Sequence, residues 1–316
     1  MSTARPSLTI LLAAPRGFCA GVARAVAIVE RALAQFGGPV YVRHEIVHNR
    51  FVVEELAAKG AVFVEELAEV PANGVVVFSA HGVSQAVRRE AAARRLKVLD
   101  ATCPLVTKVH REAVRHAQAG RHVFLIGHRG HPEVVGTLGQ LPAGALTLVP
   151  SAAEAKRLMP PPDCGLAYVM QTTLSVDEAA AIVAILRHRF PGIAAPRSDD
   201  ICYATTNRQQ AVKQLAPRVD TLLVVGAPNS SNSQRLVETA RAAGCRGARL
   251  IGRAADIPWG ALQGVRRLGL TAGASAPEIL VQEVLDACRA RYDVTVENFS
   301  VIEEDVHFKL PHALSA

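Results

Sequence analysis

Short apolar runs alternate with longer stretches rich in Ala and Arg along almost the whole chain. Leu8–Ala13, Val40–Val42, Ala61–Val64, Val75–Ser79, Val98–Asp100, Val123–Gly127, Leu166–Met170, Thr221–Val225 and Arg267–Thr271 are short and rich in Val, Ile and Leu. Runs with no polar alternation predict strands buried on both faces, and such strands belong to parallel sheets. The stretches between them predict helices over Gly21–Gln35, Val83–Arg95, Pro104–Gln118, Val176–His188, Thr205–Leu215, Ser233–Ala243 and Pro277–Arg291. Ser84 and Ser175 stand where a capping side chain would satisfy the first backbone N–H groups. Strand–helix alternation over the full length predicts an α/β fold with parallel sheets.

Composition narrows the class. The chain has 316 residues, which by length alone suggests about two domains of roughly 150 residues each. With half its residues hydrophobic and a fifth charged, it has the make-up of a folded globule and not of a disordered chain. Six cysteines in this length are too sparse for a disulfide scaffold. No run of about 18 apolar residues is present to cross a membrane as a helix. The apolar run through Ala14 is cut by Arg16 and Gly17 too early for a secretory signal. The expected location is therefore the cytoplasm, where thiols stay reduced. Lys and Arg total 35 against 28 Asp and Glu, a net charge of +7, with only 4% aromatic residues. So few aromatics argue against a stacking surface for nucleic acid. A small anionic substrate or an acidic protein partner fits the charge better.

A threefold internal spacing adds the chemistry. Cys19, Cys103 and Cys202 each follow a strand-like run and precede a helical one, at intervals of 84 and 99 residues. His48, His131 and Ser230 follow the three cysteines at 29, 28 and 28 residues. A second polar loop completes each repeat: Ser79-Ala80-His81-Gly82, Gln171-Thr172-Thr173 and Ala274-Ser275. Each of these positions falls at the carboxyl end of a predicted strand, where open α/β sheets bind ligands. The spacing predicts three βαβ-type lobes in pseudo-threefold arrangement: 8–102, 103–198, and 199–311 with the C-terminal tail. Pro160-Pro161-Pro162-Asp163 reads as a surface turn within the second.

Three widely separated cysteines do not have the spacing of a zinc ribbon or a bacterial ferredoxin. Thiolates gathered from three lobes suit zinc or an iron–sulfur cluster, with one coordination position left open. The plain alternative is that they are buried small hydrophobes, and this is the reading for Cys164, Cys245 and Cys288, which lie outside the repeat. His110, His116, His122 and His188 likewise read as structural. His48, His81 and His131 occupy equivalent slots, and imidazolium groups with hydroxyls bind phosphate oxygens. Asn229-Ser230-Ser231-Asn232-Ser233 opens a predicted helix, a setting for an anion, although Ser231 or Asn232 could simply cap it. Glu133 is either a glutamate favoured by the dipole at a helix start or, in a dry cavity, a proton donor. Thr172 is placed to orient it.

Together these motifs resemble one family. Pro-Arg-Gly-Phe-Cys-Ala-Gly-Val (15–22), His-Glu-Ile-Val-His-Asn (44–49), Ser-Ala-His-Gly-Val (79–83) and Asp-Ala-Thr-Cys-Pro-Leu-Val (100–106) are followed by Gly-His-Arg-Gly-His-Pro-Glu-Val (127–134) and Gln-Thr-Thr-Leu-Ser (171–175). Asp-Asp-Ile-Cys-Tyr-Ala-Thr-Thr-Asn-Arg-Gln (199–209), Asn-Ser-Ser-Asn-Ser (229–233) and Thr-Ala-Gly-Ala-Ser-Ala-Pro-Glu (271–278) complete the series. The chain resembles the LytB/IspH family of 4-hydroxy-3-methylbut-2-enyl diphosphate reductases from about Leu8 to Pro311. The resemblance implies one [4Fe–4S] cluster per chain at the centre of three lobes, held by Cys19, Cys103 and Cys202, with the fourth iron open to the substrate hydroxyl. It implies diphosphate binding by His48, His81, His131, Ser230, Ser231, Asn232 and Ser275. Glu133 would deliver protons, with Thr172 and His131 beside it in the catalytic set. Ferredoxin or flavodoxin would supply electrons for a reductive dehydroxylation that ends the methylerythritol phosphate pathway. The alternatives are an iron–sulfur hydro-lyase without net redox change, an iron–sulfur sensor or electron carrier, and a zinc-stabilised binding protein.

Overall fold

A computed structural model describes residues 5–314, so the first four residues of the segment read for a leader lie outside the described residues. In chain order the elements are β1 (Ser7–Ala14), α1 (Ala20–Phe36), β2 (Val40–Arg43), α2 (Arg50–Ala58), β3 (Ala61–Val64), β4 (Val75–Phe78), α3 (Gln85–Ala93) and β5 (Lys97–Asp100). Next come α4 (Pro104–Gln118), β6 (Arg121–Ile126), α5 (Pro132–Leu138), β7 (Leu146–Val149), α6 (Ala152–Arg157), β8 (Gly165–Met170) and α7 (Val176–Arg189). The remainder comprises α8 (Tyr203–Leu215), β9 (Thr221–Val225), α9 (Ser231–Ala242), β10 (Arg249–Ile251), β11 (Arg267–Ala272), α10 (Glu278–Arg291) and β12 (Asp293–Ser300).

These strands form three sheets, ordered β10-β9-β11-β1-β12, β3-β2-β4-β5 and β7-β6-β8. Every strand pair is parallel, as the uninterrupted apolar runs require. β9 is buried at every residue, and Val123 to Ile126 of β6 are buried in a row. Ser84 and Ser175 cap α3 and α7, accepting from Val87 N and Glu178 N.

The chain forms two compact units. One contains the chain up to Cys19, His48–Arg50 and Tyr203–Val306; the other contains Ala20–Val47, Phe51–Cys202 and the chain from His307. The first unit holds the five-stranded sheet. Its β1, the first strand of the sequence, hydrogen-bonds between β11 and β12 and so joins strands from the far end of the chain. The second unit holds the four- and three-stranded sheets.

Some elements leave little trace in the hydrophobic pattern. β7, β10 and β12 are sheet edges; β12 carries Asp293, Glu297 and Asn298 and has no buried residue. An edge strand needs no apolar run on both faces. The short helices α2, α5 and α6 span one to three turns, too little for a periodic signal. Pro160 to Asp163 forms an irregular turn with Asp163 at φ 54°.

Candidate active site

The polar loops singled out above follow strand ends with one exception: the strand-like run expected before Cys202 is irregular chain between α7 and α8. Cys19 follows β1, His48 follows β2, His81 follows β4, and Cys103 follows β5. His131 follows β6, Thr172 follows β8, Ser230 follows β9, and Ser275 follows β11. Past the end of a strand the backbone leaves the sheet ladder, so N–H and carbonyl groups there must find other partners.

In the second unit Glu133 and Thr172 meet. Pro132 starts α5 with its preset φ, and Glu133 is the next residue. Its carboxylate turns from its own helix and accepts from Thr172 N at 2.6 Å and Thr172 Oγ1 at 3.0 Å. The residue is 2% exposed. Burial raises its pKa to about 7; the two Thr172 hydrogen bonds oppose the rise and the Asp200 charge adds to it. A carboxyl so placed holds or releases a proton near neutral pH. Thr172 O accepts from Cys202 N at 3.0 Å, so the same residue touches the third cysteine.

His131 caps α5: its Nδ1 accepts from Glu133 N at 3.2 Å. The ring packs edge-on against His81, with centroids 5.8 Å apart. Ser79 Oγ lies 3.4 Å from His81 Nδ1. The turn that presents His81 requires glycine next to it. Gly82 has φ +80°, and a Cβ there would stand 2.8 Å from His110 Cε1. His110 is 6% exposed, and burial together with the Arg88 charge lowers its pKa to about 4. It is therefore a neutral packing residue, in keeping with the structural reading. His116 and His122 are also buried with lowered pKa values, mainly through desolvation. His188 is exposed in the last turn of α7. His44 pairs with Glu65 at 2.6 Å.

In the first unit a hydroxyl and amide cluster surrounds His48. Ser275 Oγ donates to His48 O at 2.9 Å and lies 3.5 Å from Ser230 Oγ. Asn229 Nδ2 lies 3.4 Å from His48 Nδ1. Asn232 Oδ1 accepts from Ala274 N at 2.8 Å, fastening the loop of Ser275. The cap of α9 is Ser230, which accepts from Ser233 N; Ser231 and Asn232 begin the helix proper. Capping thus falls one residue before Ser231 and two before Asn232, the caps the pattern offered. Ser230, Asn232, Ser233 and Ser275 are all buried. Buried hydroxyls beside a helix N-terminus favour an anion.

The cysteines divide by environment. All six are thiols outside any disulfide. Cys19 stands immediately before α1, Cys103 is the N-cap of α4, and Cys202 immediately precedes α8. All three are half-buried. Cys245 and Cys288 are buried, and desolvation raises both thiols, Cys288 to about 11. Such thiols are inert packing groups. Cys164 donates to Pro161 O at 3.3 Å in the proline turn. The chemistry of the first three fits a thiolate-held iron–sulfur group. Among the described residues, no three His, Cys, Asp or Glu side chains are grouped to hold a single metal ion.

The sequence reading did not single out Asp200 or Lys108. Asp200 is buried, pairs with Lys108 at 2.9 Å and accepts from Met170 N at 2.9 Å. Burial raises its pKa against the pull of Lys108. The adjacent Asp199-Asp200 before Cys202 was the available signal, since a carboxylate that is buried needs a nearby cation.

Three parallel-stranded sheets with imidazoles, hydroxyls and half-buried thiols in the loops around them define an α/β protein whose polar side chains gather beyond its strand ends. A family model described as LytB protein matches residues 10–289. The chain belongs to the LytB family. It is 61% identical over 309 residues to the 4-hydroxy-3-methylbut-2-enyl diphosphate reductase of Cereibacter sphaeroides, covering 98% of this chain and 97% of the relative. The solved E-1-hydroxy-2-methyl-but-2-enyl-4-diphosphate reductase of Plasmodium falciparum superposes with a TM-score of 0.94 at 38% identity, covering 98% of this chain and 97% of that one. A second solved (E)-4-hydroxy-3-methyl-but-2-enyl diphosphate reductase, described as the terminal enzyme of the non-mevalonate pathway, gives 0.63 at 32% identity, covering 90% of this chain and 99% of that one. No helix among the described residues is long and apolar enough to cross a membrane.

Proposed function

We propose that this chain catalyses the reductive dehydroxylation of (E)-4-hydroxy-3-methylbut-2-enyl diphosphate to isopentenyl and dimethylallyl diphosphate, the last step of the non-mevalonate pathway. The observation that carries this reading is the near-complete alignment with the Cereibacter sphaeroides reductase, 61% identical over 98% of the chain. Two electrons and two protons enter, and the hydroxyl leaves as water.

The thiolates of Cys19, Cys103 and Cys202 would hold one [4Fe–4S] cluster per chain. When bound, it supplies single electrons and an iron with Lewis-acid character at its open position. The chain's own residues bind, orient and protonate. His48, Ser230, Ser231, Asn232 and Ser275, with His81 and His131, take the diphosphate. Their binding energy fixes the far end of the substrate and so positions its reacting carbon. An allylic hydroxyl is a poor leaving group, and Glu133 holds a proton near neutral pH for it. Thr172 fixes the Glu133 carboxyl through both of its oxygens. Ferredoxin or flavodoxin in the cytoplasm is the proposed donor.

The test is anaerobic reconstitution with iron and sulfide, followed by assay of the hydroxylated diphosphate with a strong one-electron donor. Formation of both isoprenoid diphosphates only when reductant is present supports the reading. Turnover without reductant, or a protein that takes up zinc and no iron, overturns it.

A further inference from the structure

We propose that Arg24, Lys108 and Arg208 are positioning residues for the three cysteines: each rises from the helix that opens after one cysteine and fastens the backbone that leads into the next. The inference rests on the reading of Cys19, Cys103 and Cys202 as the thiolate set.

The three contacts follow one rule. Arg24 lies five residues after Cys19, in the second turn of α1. Its Nη1 donates to Thr102 O at 3.1 Å, the carbonyl directly before Cys103. Lys108 lies five residues after Cys103, in the second turn of α4. Its Nζ donates to Ser198 O at 2.5 Å, Asp199 O at 2.7 Å and Asp200 Oδ1 at 2.9 Å, in the segment that ends at Cys202. Arg208 lies six residues after Cys202, in the second turn of α8. Its Nε and Nη2 donate to Gly17 O at 3.2 and 2.9 Å, two residues before Cys19. The assignments therefore run in cyclic order through the three cysteines.

Each clamp meets a physical need. The segments at Gly17 and Thr102 lie beyond strand ends, and Ser198 to Asp200 is irregular chain between α7 and α8, so carbonyls in all three lack ladder partners. A loop held only by a chain turn would let its thiol wander, and ligands must be held to a fraction of an ångström by their surroundings. A long cationic side chain supplies several donors at one point. Gly17 sits at φ +65° with its N–H on Ala272 O, and Arg208 takes its carbonyl. Arg208 is 1% exposed and is balanced by Glu304, whose carboxylate accepts from Nη1 at 2.9 and 3.2 Å. Arg24 also donates to Lys309 O at 2.8 Å.

The test measures each cysteine separately. Arg24→Gln, Lys108→Gln and Arg208→Gln are made in the full chain. Iodoacetamide labelling of the metal-free protein is followed by peptide mass spectrometry. The expected result is a selective rise in labelling of about tenfold, the scale set by a lost hydrogen bond to a charged group. It falls on Cys103 for Arg24→Gln, on Cys202 for Lys108→Gln and on Cys19 for Arg208→Gln. Arg24→Lys, Lys108→Arg and Arg208→Lys restore part of the protection. In reconstituted protein, the Gln variants lose iron to a chelator faster than the parent. Unchanged labelling, or an equal rise at all three cysteines in every variant, overturns the proposal. Arg24 and Lys108 are only partly buried, so their variants decide the matter if the Arg208 variant does not fold. A parent chain that takes up no iron defeats the cluster reading alone, because the labelling pattern does not depend on iron.

Discussion

At the residue scale, Glu133 shows how position converts an ordinary carboxyl into a neutral-range acid. Its pKa rises from 4.5 to about 7 because burial outweighs two hydrogen bonds from Thr172. Glu133→Gln is expected to lower kcat by about 10²- to 10⁴-fold, the range of a positioned proton donor, while the visible spectrum of the reconstituted protein stays unchanged. In the parent, kcat is expected to fall as pH rises through about 7, where the carboxyl loses its proton. Stability follows the same ionisation. Between pH 4.5 and about 7 the unfolded chain releases this proton and the folded chain keeps it. Stability therefore falls as pH rises across that window, by about 3 kcal/mol. Denaturant titrations at pH 5 and pH 8 check this: Glu133→Gln gains on the parent at pH 8 and not at pH 5. Thr172→Val removes a donor that stabilises the carboxylate, so the activity profile is expected to move to higher pH. The sequence offered Glu133 as either a helix-start residue or an acid. Thr172 was already marked as its partner; burial was the missing fact, since burial raises the carboxyl into the neutral range.

At the element scale, strand-end turns present the candidate site residues, and glycine shapes the turn of His81. Gly82→Ala introduces a left-handed residue at φ +80° and a methyl 2.8 Å from a buried ring. The expected loss is about 2–4 kcal/mol from backbone strain and overpacking together, read from the urea midpoint. Ser230→Ala removes the cap of α9 and is expected to cost about 1 kcal/mol, with a higher KM for the diphosphate. Central strands and long helices were legible because they bury apolar residues in period. β12 was not legible: it is an edge strand, and its pairing with β1 uses backbone groups that any side chain permits. Short helices such as α5 hold too few turns to show a period, although His131 and Pro132 marked its start.

At the scale of the whole molecule, contacts distant in sequence fasten the loops. Arg208 reaches Gly17 across 191 residues and Glu304 across 96. Glu304→Gln would leave this buried guanidinium without its counter-charge, and the expected cost is about 3–5 kcal/mol, measured by chemical denaturation. Glu304→Asp is expected to recover part of it. Among the described residues, the C-terminal segment after β12 carries no regular strand or α-helix, and it is tied in by contacts such as Glu304 to Arg208, Lys309 O to Arg24 and Val301 N to Ala14 O.

The sequence by itself determined the α/β class and the parallel character of the sheets, and it marked the loops proposed to carry function. Hydrophobic period and repeat spacing are local or regular quantities, so they survive in one dimension. It also separated Cys19, Cys103 and Cys202 from the three remaining cysteines, because repeat position is visible in order alone. Only the tertiary structure decided that β1 pairs with the last strand of the chain and that His44 turns to Glu65. The same holds for the burial that keeps Glu133 protonated near neutral pH, and for the basic side chains that hold the approaches to the cysteines. These facts depend on burial and on meetings between residues tens to hundreds of positions apart, which no local pattern encodes.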